Sequence, residues 1–189
     1  MAELRRSAVA ELRRSAGAEA PALRDDHGQS WSFPPLATPD GVPHPDDGVG
    51  RPRATWLAFL PGAFTPVCTG ELAWLADLAQ ELAAVDVAVR VIACDAAPVL
   101  RRVREDLGLG ERLTLLSDFW PHGAAAAACD AFDPETGRAR RVSVLLDATG
   151  VEVARVAAEP GRARSRSAHE AATREHLRRT GTLERSADL

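Results

Sequence analysis

The feature that most constrains this chain is one passage that runs from an apolar segment, through a proline-flanked loop, into an amphipathic stretch. Trp56-Leu57-Ala58-Phe59-Leu60 is apolar at every position, so a strand built from it must be covered on both faces. Pro61-Gly62-Ala63-Phe64-Thr65-Pro66 interrupts the run. Leu72, Leu75, Leu78 and Leu82 then recur on one helical face. The passage reads as buried strand, tight loop, helix. It sets Cys68 in the first turn of that helix, among N–H groups with no intrahelical acceptor. There the positive end of the helix dipole favours thiolate over thiol.

The rest of the composition mostly excludes. A chain of 189 residues with 46% hydrophobic content has room for one soluble domain with a real core. We divide it into an N-terminal tail at 1–16, a domain at 17–180 and a C-terminal tail at 181–189. A net charge of -4 gives no support for nucleic-acid binding. Every basic residue is Arg, so Schiff-base and P-loop chemistry, which need Lys, are absent. No apolar run reaches the length of a membrane span, and the N-terminus lacks the apolar core of a secretory signal. Three widely spaced cysteines make neither a disulfide framework nor a zinc site. The expectation is a cytoplasmic protein whose thiols are kept reduced.

Taken in order, Ala2-Glu3-Leu4-Arg5-Arg6-Ser7-Ala8 is repeated at Ala10 to Ala16. This reads as a frayed tail or as a docking helix. Residues 17–36 read as a hairpin, with Asp25-Asp26-His27-Gly28 as a solvated turn rather than a metal site. Residues 37–53, rich in Pro and Gly, read as a surface loop. Val85 to Cys94 reads as a second buried parallel strand. A short helix over 97–107 follows, with Arg101, Arg102 and Arg104 facing out. Leu113 to Leu116 is a strand, and Asp118 is a cap for the next helix, with Pro121 in its first turn. Arg141 to Leu146 and Val151 to Val156 form a hairpin around Asp147-Ala148-Thr149-Gly150. A charged helix covers 166–179.

Pro61, Thr65 and Cys68 spell P-x-x-x-T-x-x-C. Together with Ser117-Asp118-Phe119-Trp120-Pro121-His122-Gly123 and Arg141-Val142-Ser143-Val144-Leu145-Leu146-Asp147, that spacing resembles the peroxiredoxins, and among them the one-Cys enzymes of the AhpE type. The likeness runs roughly from Gly17 to Leu177, with an insertion before the catalytic strand. It implies an α/β thioredoxin-like sandwich with a central mixed sheet flanked by helices. It implies a thiol peroxidase acting on hydrogen peroxide and organic hydroperoxides, with no cofactor and no metal. The implied partners are the peroxide, a reductant, and a second copy in a homodimer. The reductant would be a low-molecular-weight thiol or a mycoredoxin- or thioredoxin-like protein. Neither nucleic acid nor membrane is expected. A peroxiredoxin-fold redox sensor or holdase with little turnover is the alternative. A disulfide oxidoreductase of the same fold is disfavoured because C-x-x-C is absent.

The resemblance also assigns roles. Cys68 is the peroxidatic cysteine. A free thiol titrates at about 8.5, so the helix end needs a cation beside it to hold a thiolate. Arg141 is that cation, with neighbouring Arg140 as the fallback. Thr65 either reaches sulfur or peroxide with its hydroxyl, or caps the helix, or does both. Pro61 screens the sulfur or simply ends the strand. Glu71 either orients Arg141 or is a first-turn acid at the dipole. The backbone N–H groups of Val67 and Cys68 are expected to hold the peroxide. Trp120, Phe119 and Phe64 line the approach, form a dimer contact or belong to the core. His122 reads as a helix-start residue. No resolving cysteine is assigned: Cys94 reads as a small buried hydrophobe, and Cys129 is disfavoured as a resolving thiol.

Overall fold

The computed structural model describes residues 21–35, 52–159 and 161–181. The repeated N-terminal tail, nearly all of the 37–53 loop and the last residues lie outside the described residues.

The chain opens with β1 (Ala22–Asp25) and β2 (Ser30–Ser32), an antiparallel hairpin pairing Leu23 with Trp31. The apolar run becomes β3 (Ala54–Leu60), buried at all seven positions. Its side chains alternate between two cores, as the period of a strand requires. Trp56, Ala58 and Leu60 meet α1 (Pro66–Ala83) through Leu72, Leu75 and Leu78. Leu57 and Phe59 meet Trp31, Ile92 and Val144 on the other side. β4 (Val87–Ala93) runs parallel to β3, with Leu60 opposite Ala93. It leads to α2 (Ala97–Leu107) and then to β5 (Leu113–Ser117), parallel to β4.

A five-residue helix, α3 (Ala124–Ala128), and a small hairpin of β6 (Phe132–Asp133) and β7 (Arg138–Ala139) follow. Then come β8 (Val142–Asp147), β9 (Glu152–Ala157) and α4 (Arg166–Arg179). The main sheet has the order β2-β1-β5-β4-β3-β8-β9. β8 is antiparallel to β3, with Ser143 opposite Ala58. This is a mixed central sheet flanked by helices, as expected. β3 lies between β4 and β8, so whatever leaves its C-terminal end is held by neighbours on both sides.

Four expectations are corrected. Asp25 and Asp26 are buried rather than solvated. Asp25 accepts from Trp31 Nε1 at 2.9 Å and from Gln29 N at 2.8 Å, because a polar turn folded under a sheet must satisfy its own carboxylates. Arg104 does not face out: it is buried and ion-paired with Asp26, and donates to the carbonyls of Leu109, Gly110 and Leu113. Pro121 lies three residues ahead of α3, whose N-cap is Gly123 with φ 70°. Asp118 still serves that helix, accepting from Ala125 N at 3.0 Å and Ala126 N at 2.9 Å across the intervening turn. His122 lies in that turn as well, with a ring nitrogen 2.8 Å from the Gly137 carbonyl.

Candidate active site

The site is built where β3 hands over to α1. Pro61 ends the strand and Pro66 occupies the first helical turn, where its missing N–H costs nothing. Thr65 is the N-cap, with extended backbone, and its Oγ1 accepts from Cys68 N at 3.2 Å. Cys68 is thereby fixed in the first turn with its side chain fully buried.

Arg141, at the head of β8, reaches this sulfur from a distant part of the chain. Its Nη2 lies 3.3 Å from Cys68 Sγ and 3.4 Å from Thr65 Oγ1. Its Nε donates to Glu71 Oε2 at 3.1 Å. Thr65 Oγ1 therefore accepts from two N–H donors, and its own proton is left for the sulfur or an incoming oxygen. The two readings of Thr65, cap and reactant-facing hydroxyl, describe one atom.

Glu71 is fully buried in the second turn of α1, and the helix carries no acid in its first turn. The dipole reading therefore gives way to the orienting one. Its second oxygen, Oε1, accepts from Arg164 N at 2.8 Å and Arg164 Nε at 2.9 Å. Arg164, also buried, donates through Nη1 to Phe59 O, Val142 O and Ser143 Oγ at about 3 Å. One carboxylate thus holds two guanidiniums, one of which touches the sulfur. Arg164 was not foreseen. No short motif marks it, and its partner Glu71 lies 93 residues away.

Other expected residues fall elsewhere. Arg140 turns away, donating to the carbonyls of Asp130 and Phe132 at 3.1 Å. The Cys68 N–H is taken by Thr65, so it is not free to hold a peroxide; the Val67 N–H, also near the helix start, has no acceptor within its own helix. Trp120 and Phe119 are exposed, at 78% and 54%. They are not core: they line a cavity with Ala22, Arg24 and Pro98, and the Phe119 ring meets edge-on, at 6.4 Å between centroids, His122, which borders the cavity at the catalytic loop. Phe64, 59% exposed, is the aromatic at the loop. It borders a cavity shared with Pro61, Thr65, Cys94 and Arg138.

Cys94 follows β4 and is half-buried rather than buried, lining that cavity. Burial, then the Asp118 charge, pushes its thiol up to about 11. Cys129 is buried at the end of α3, and burial pushes it up to about 12. Among the described residues no group of three His, Cys, Asp or Glu side chains is placed to hold a metal, and no helix is long and apolar enough to cross a membrane.

Comparison with known proteins agrees with this geometry. Residues 47–154 match the profile described as the AhpC/TSA family. Alkyl hydroperoxide reductase E of Mycobacterium tuberculosis is 37% identical over 95 residues, covering 50% of this chain and 61% of that relative. The crystal structure of Enterococcus faecalis AhpC superposes with a TM-score of 0.65 at 18% identity, covering 85% of this chain and 89% of that one. The peroxidoxin BcpB of M. tuberculosis superposes with a TM-score of 0.58 at 23% identity, covering 72% and 79%. These structures share the thioredoxin-like α/β sandwich.

Proposed function

The chain belongs to the AhpC/TSA family, and from that premise we propose that it is a thiol-dependent peroxidase reducing hydrogen peroxide and organic hydroperoxides at Cys68. The observation that carries this reading is the single contact between Arg141 Nη2 and Cys68 Sγ, 3.3 Å long, at the positive end of α1. A guanidinium stays charged at any working pH, so it favours the anionic sulfur.

The thiolate attacks the terminal peroxide oxygen in line with the O–O bond. The S–O bond forms as O–O breaks, sulfur loses two electrons, and the product is a sulfenic acid. The leaving RO⁻ takes a proton from solvent and departs as ROH. Arg141 and the Thr65 hydroxyl offer N–H and O–H donors where charge builds on the breaking bond. Pro61, without an N–H, borders the loop and leaves no competing donor there.

A thiol RSH then attacks the sulfenic sulfur, giving a mixed disulfide and water, and a second thiol releases Cys68 as RSSR forms. Attack requires a thiolate, and burial holds both Cys94 and Cys129 in the thiol form. That supports a one-Cys cycle served by an external reductant, either a small thiol or a mycoredoxin- or thioredoxin-like protein. We place the cycle in the cytoplasm, where such reductants are maintained. The exposed Phe119 and Trp120 support assembly as a homodimer.

The test is stopped-flow mixing with hydrogen peroxide, with mass spectrometry of the product. One equivalent should convert Cys68 to sulfenic acid, and thiol-dependent turnover should vanish in Cys68→Ser. Slow, stoichiometric oxidation without turnover would favour a redox sensor instead, and a Cys68–Cys94 or Cys68–Cys129 bridge would overturn the one-Cys cycle.

A further inference from the structure

The cavity beside the catalytic loop has a volume of about 340 Å³. Its walls are the Pro61–Thr65 loop, the Cys94-Asp95 pair that follows β4, and Arg138 on β7. Arg138 hangs over the loop. A methyl group added at Gly62 would lie 4.0 Å from Arg138 Nη1 and 3.7 Å from Thr65 Cγ2. The hairpin that carries Arg138 is pinned, since the Gly137 carbonyl lies 2.8 Å from a His122 ring nitrogen and Thr136 Oγ1 donates to Asp133 at 2.9 Å.

Arg141 and Arg164 both spend their charge on Glu71, whereas Arg138 forms no ion pair with any described residue. A lone guanidinium at the mouth of a cavity is matched by a planar oxyanion, which it can hold through two parallel N–H bonds. The opposing charges orient such a ligand. Asp95, half-buried and anchored by Ala63 N at 2.9 Å, repels a carboxylate from its own wall. Arg138 draws it to the rim. The uncharged end of the ligand is then left against Phe64 and Thr65.

Resting on the peroxidase reading, we propose that Arg138 is a specificity-determining residue that selects compact hydroperoxides bearing a carboxylate a few carbons from the O–O bond. The carboxylate is unchanged in the reaction. It fixes the hydroperoxy group at Thr65, from which the transfer to Cys68 proceeds as above.

The probes are 3-hydroperoxy-3-methylbutanoic acid and its methyl ester, which share the hydroperoxide and its carbon skeleton and differ in the charge and one methyl group. The readout is the second-order rate constant for Cys68 oxidation, with sulfenic acid identified by mass spectrometry. The acid should react about five- to tenfold faster than the ester. That ratio should fall to near one in Arg138→Ala, be partly kept in Arg138→Lys, and shrink in high salt. A ratio near one in the wild type, or a ratio that survives Arg138→Ala, overturns the assignment while leaving the peroxidase intact. Failure of both probes and of hydrogen peroxide to oxidise Cys68 would overturn the peroxidase reading and this one with it.

Discussion

Glu71 is the residue on which the candidate site turns. A buried carboxylate is stable only when it is paired, and both of its oxygens are bonded to guanidiniums. Removing its charge leaves two nearly buried cations without a counter-ion. Glu71→Gln, which keeps the shape, should cost about 3–5 kcal/mol in urea unfolding. Arg141→Gln should behave differently. Glu71 keeps Arg164, so the stability loss should be smaller, while the rate of Cys68 oxidation by peroxide should fall by about 10²–10³. Equal losses in both measurements for both variants would argue that Arg141 only props up the fold. The contrast also marks what the sequence carries at this scale. Cys68 and Thr65 are legible locally, because a helix start advertises its cap and its first turn. Arg141 is one of many arginines, and only a longer resemblance picks it out. Arg164 is not legible at all: nothing in the sequence says that Glu71 is buried, and without that there is no demand for a second cation.

At the scale of elements, α4 shows how a helix can be read correctly from its pattern while the reason for its docking stays hidden. Its span over 166–179 follows from the sequence, with Ser165 capping it through Ala168 N at 3.1 Å. Beside Leu177 and Thr173, whose Oγ1 accepts from Trp56 Nε1 at 2.9 Å, a buried imidazole docks it. His169 lies between Trp56, at 4.6 Å between ring centroids, and Trp74, at 5.2 Å. Nδ1 lies 2.8 Å from Ser165 O and Nε2 has no hydrogen-bond partner among the described residues, which fits a neutral ring donating through Nδ1. Burial, aided by the Arg164 charge, lowers its pKa from 6.5 to about 4. The unfolded chain therefore binds this proton before the folded one does. The stability is fully present above about pH 6.5 and is lost as pH falls toward 4, and the gap corresponds to about 3 kcal/mol. His169→Phe should flatten that part of the stability profile relative to wild type, read by urea unfolding at several pH values. An unchanged slope would mean the ring is protonated without penalty. The hairpin of β6 and β7 was missed for a different reason. Two-residue strands carry no periodicity, and this pair is defined by tertiary contacts, such as Phe132 packing where a side chain on Gly123 would collide at 2.2 Å.

At the scale of the whole molecule, the described residues cover the two faces of the sheet unequally. One is packed by α1, α2 and α4 through Leu72, Leu75, Leu100, Val103 and Leu177. The other has the five residues of α3, through Ala125 and Ala126, with Cys129 capping its end, while Phe119 and Trp120 in the segment before it are exposed. Sequence reasoning could count these aromatics but not tell core from surface, since the same Ser-Asp-Phe-Trp stretch holds buried Asp118 next to exposed Phe119. Two large aromatics left in water next to each other predict that a second copy shields them. Sedimentation at increasing concentration should therefore show a monomer–dimer equilibrium, shifted to monomer by Trp120→Arg. Pro61, Thr65, Cys68, Glu71, Arg141 and Arg164 all come from one chain, with contacts that need no second copy. The Trp120→Arg monomer should thus oxidise at Cys68 within a few-fold of the wild-type rate. A protein that sediments as a monomer at every concentration would remove the dimer. A monomeric variant that loses the peroxide reaction would mean that the interface, and not the single chain, completes the site.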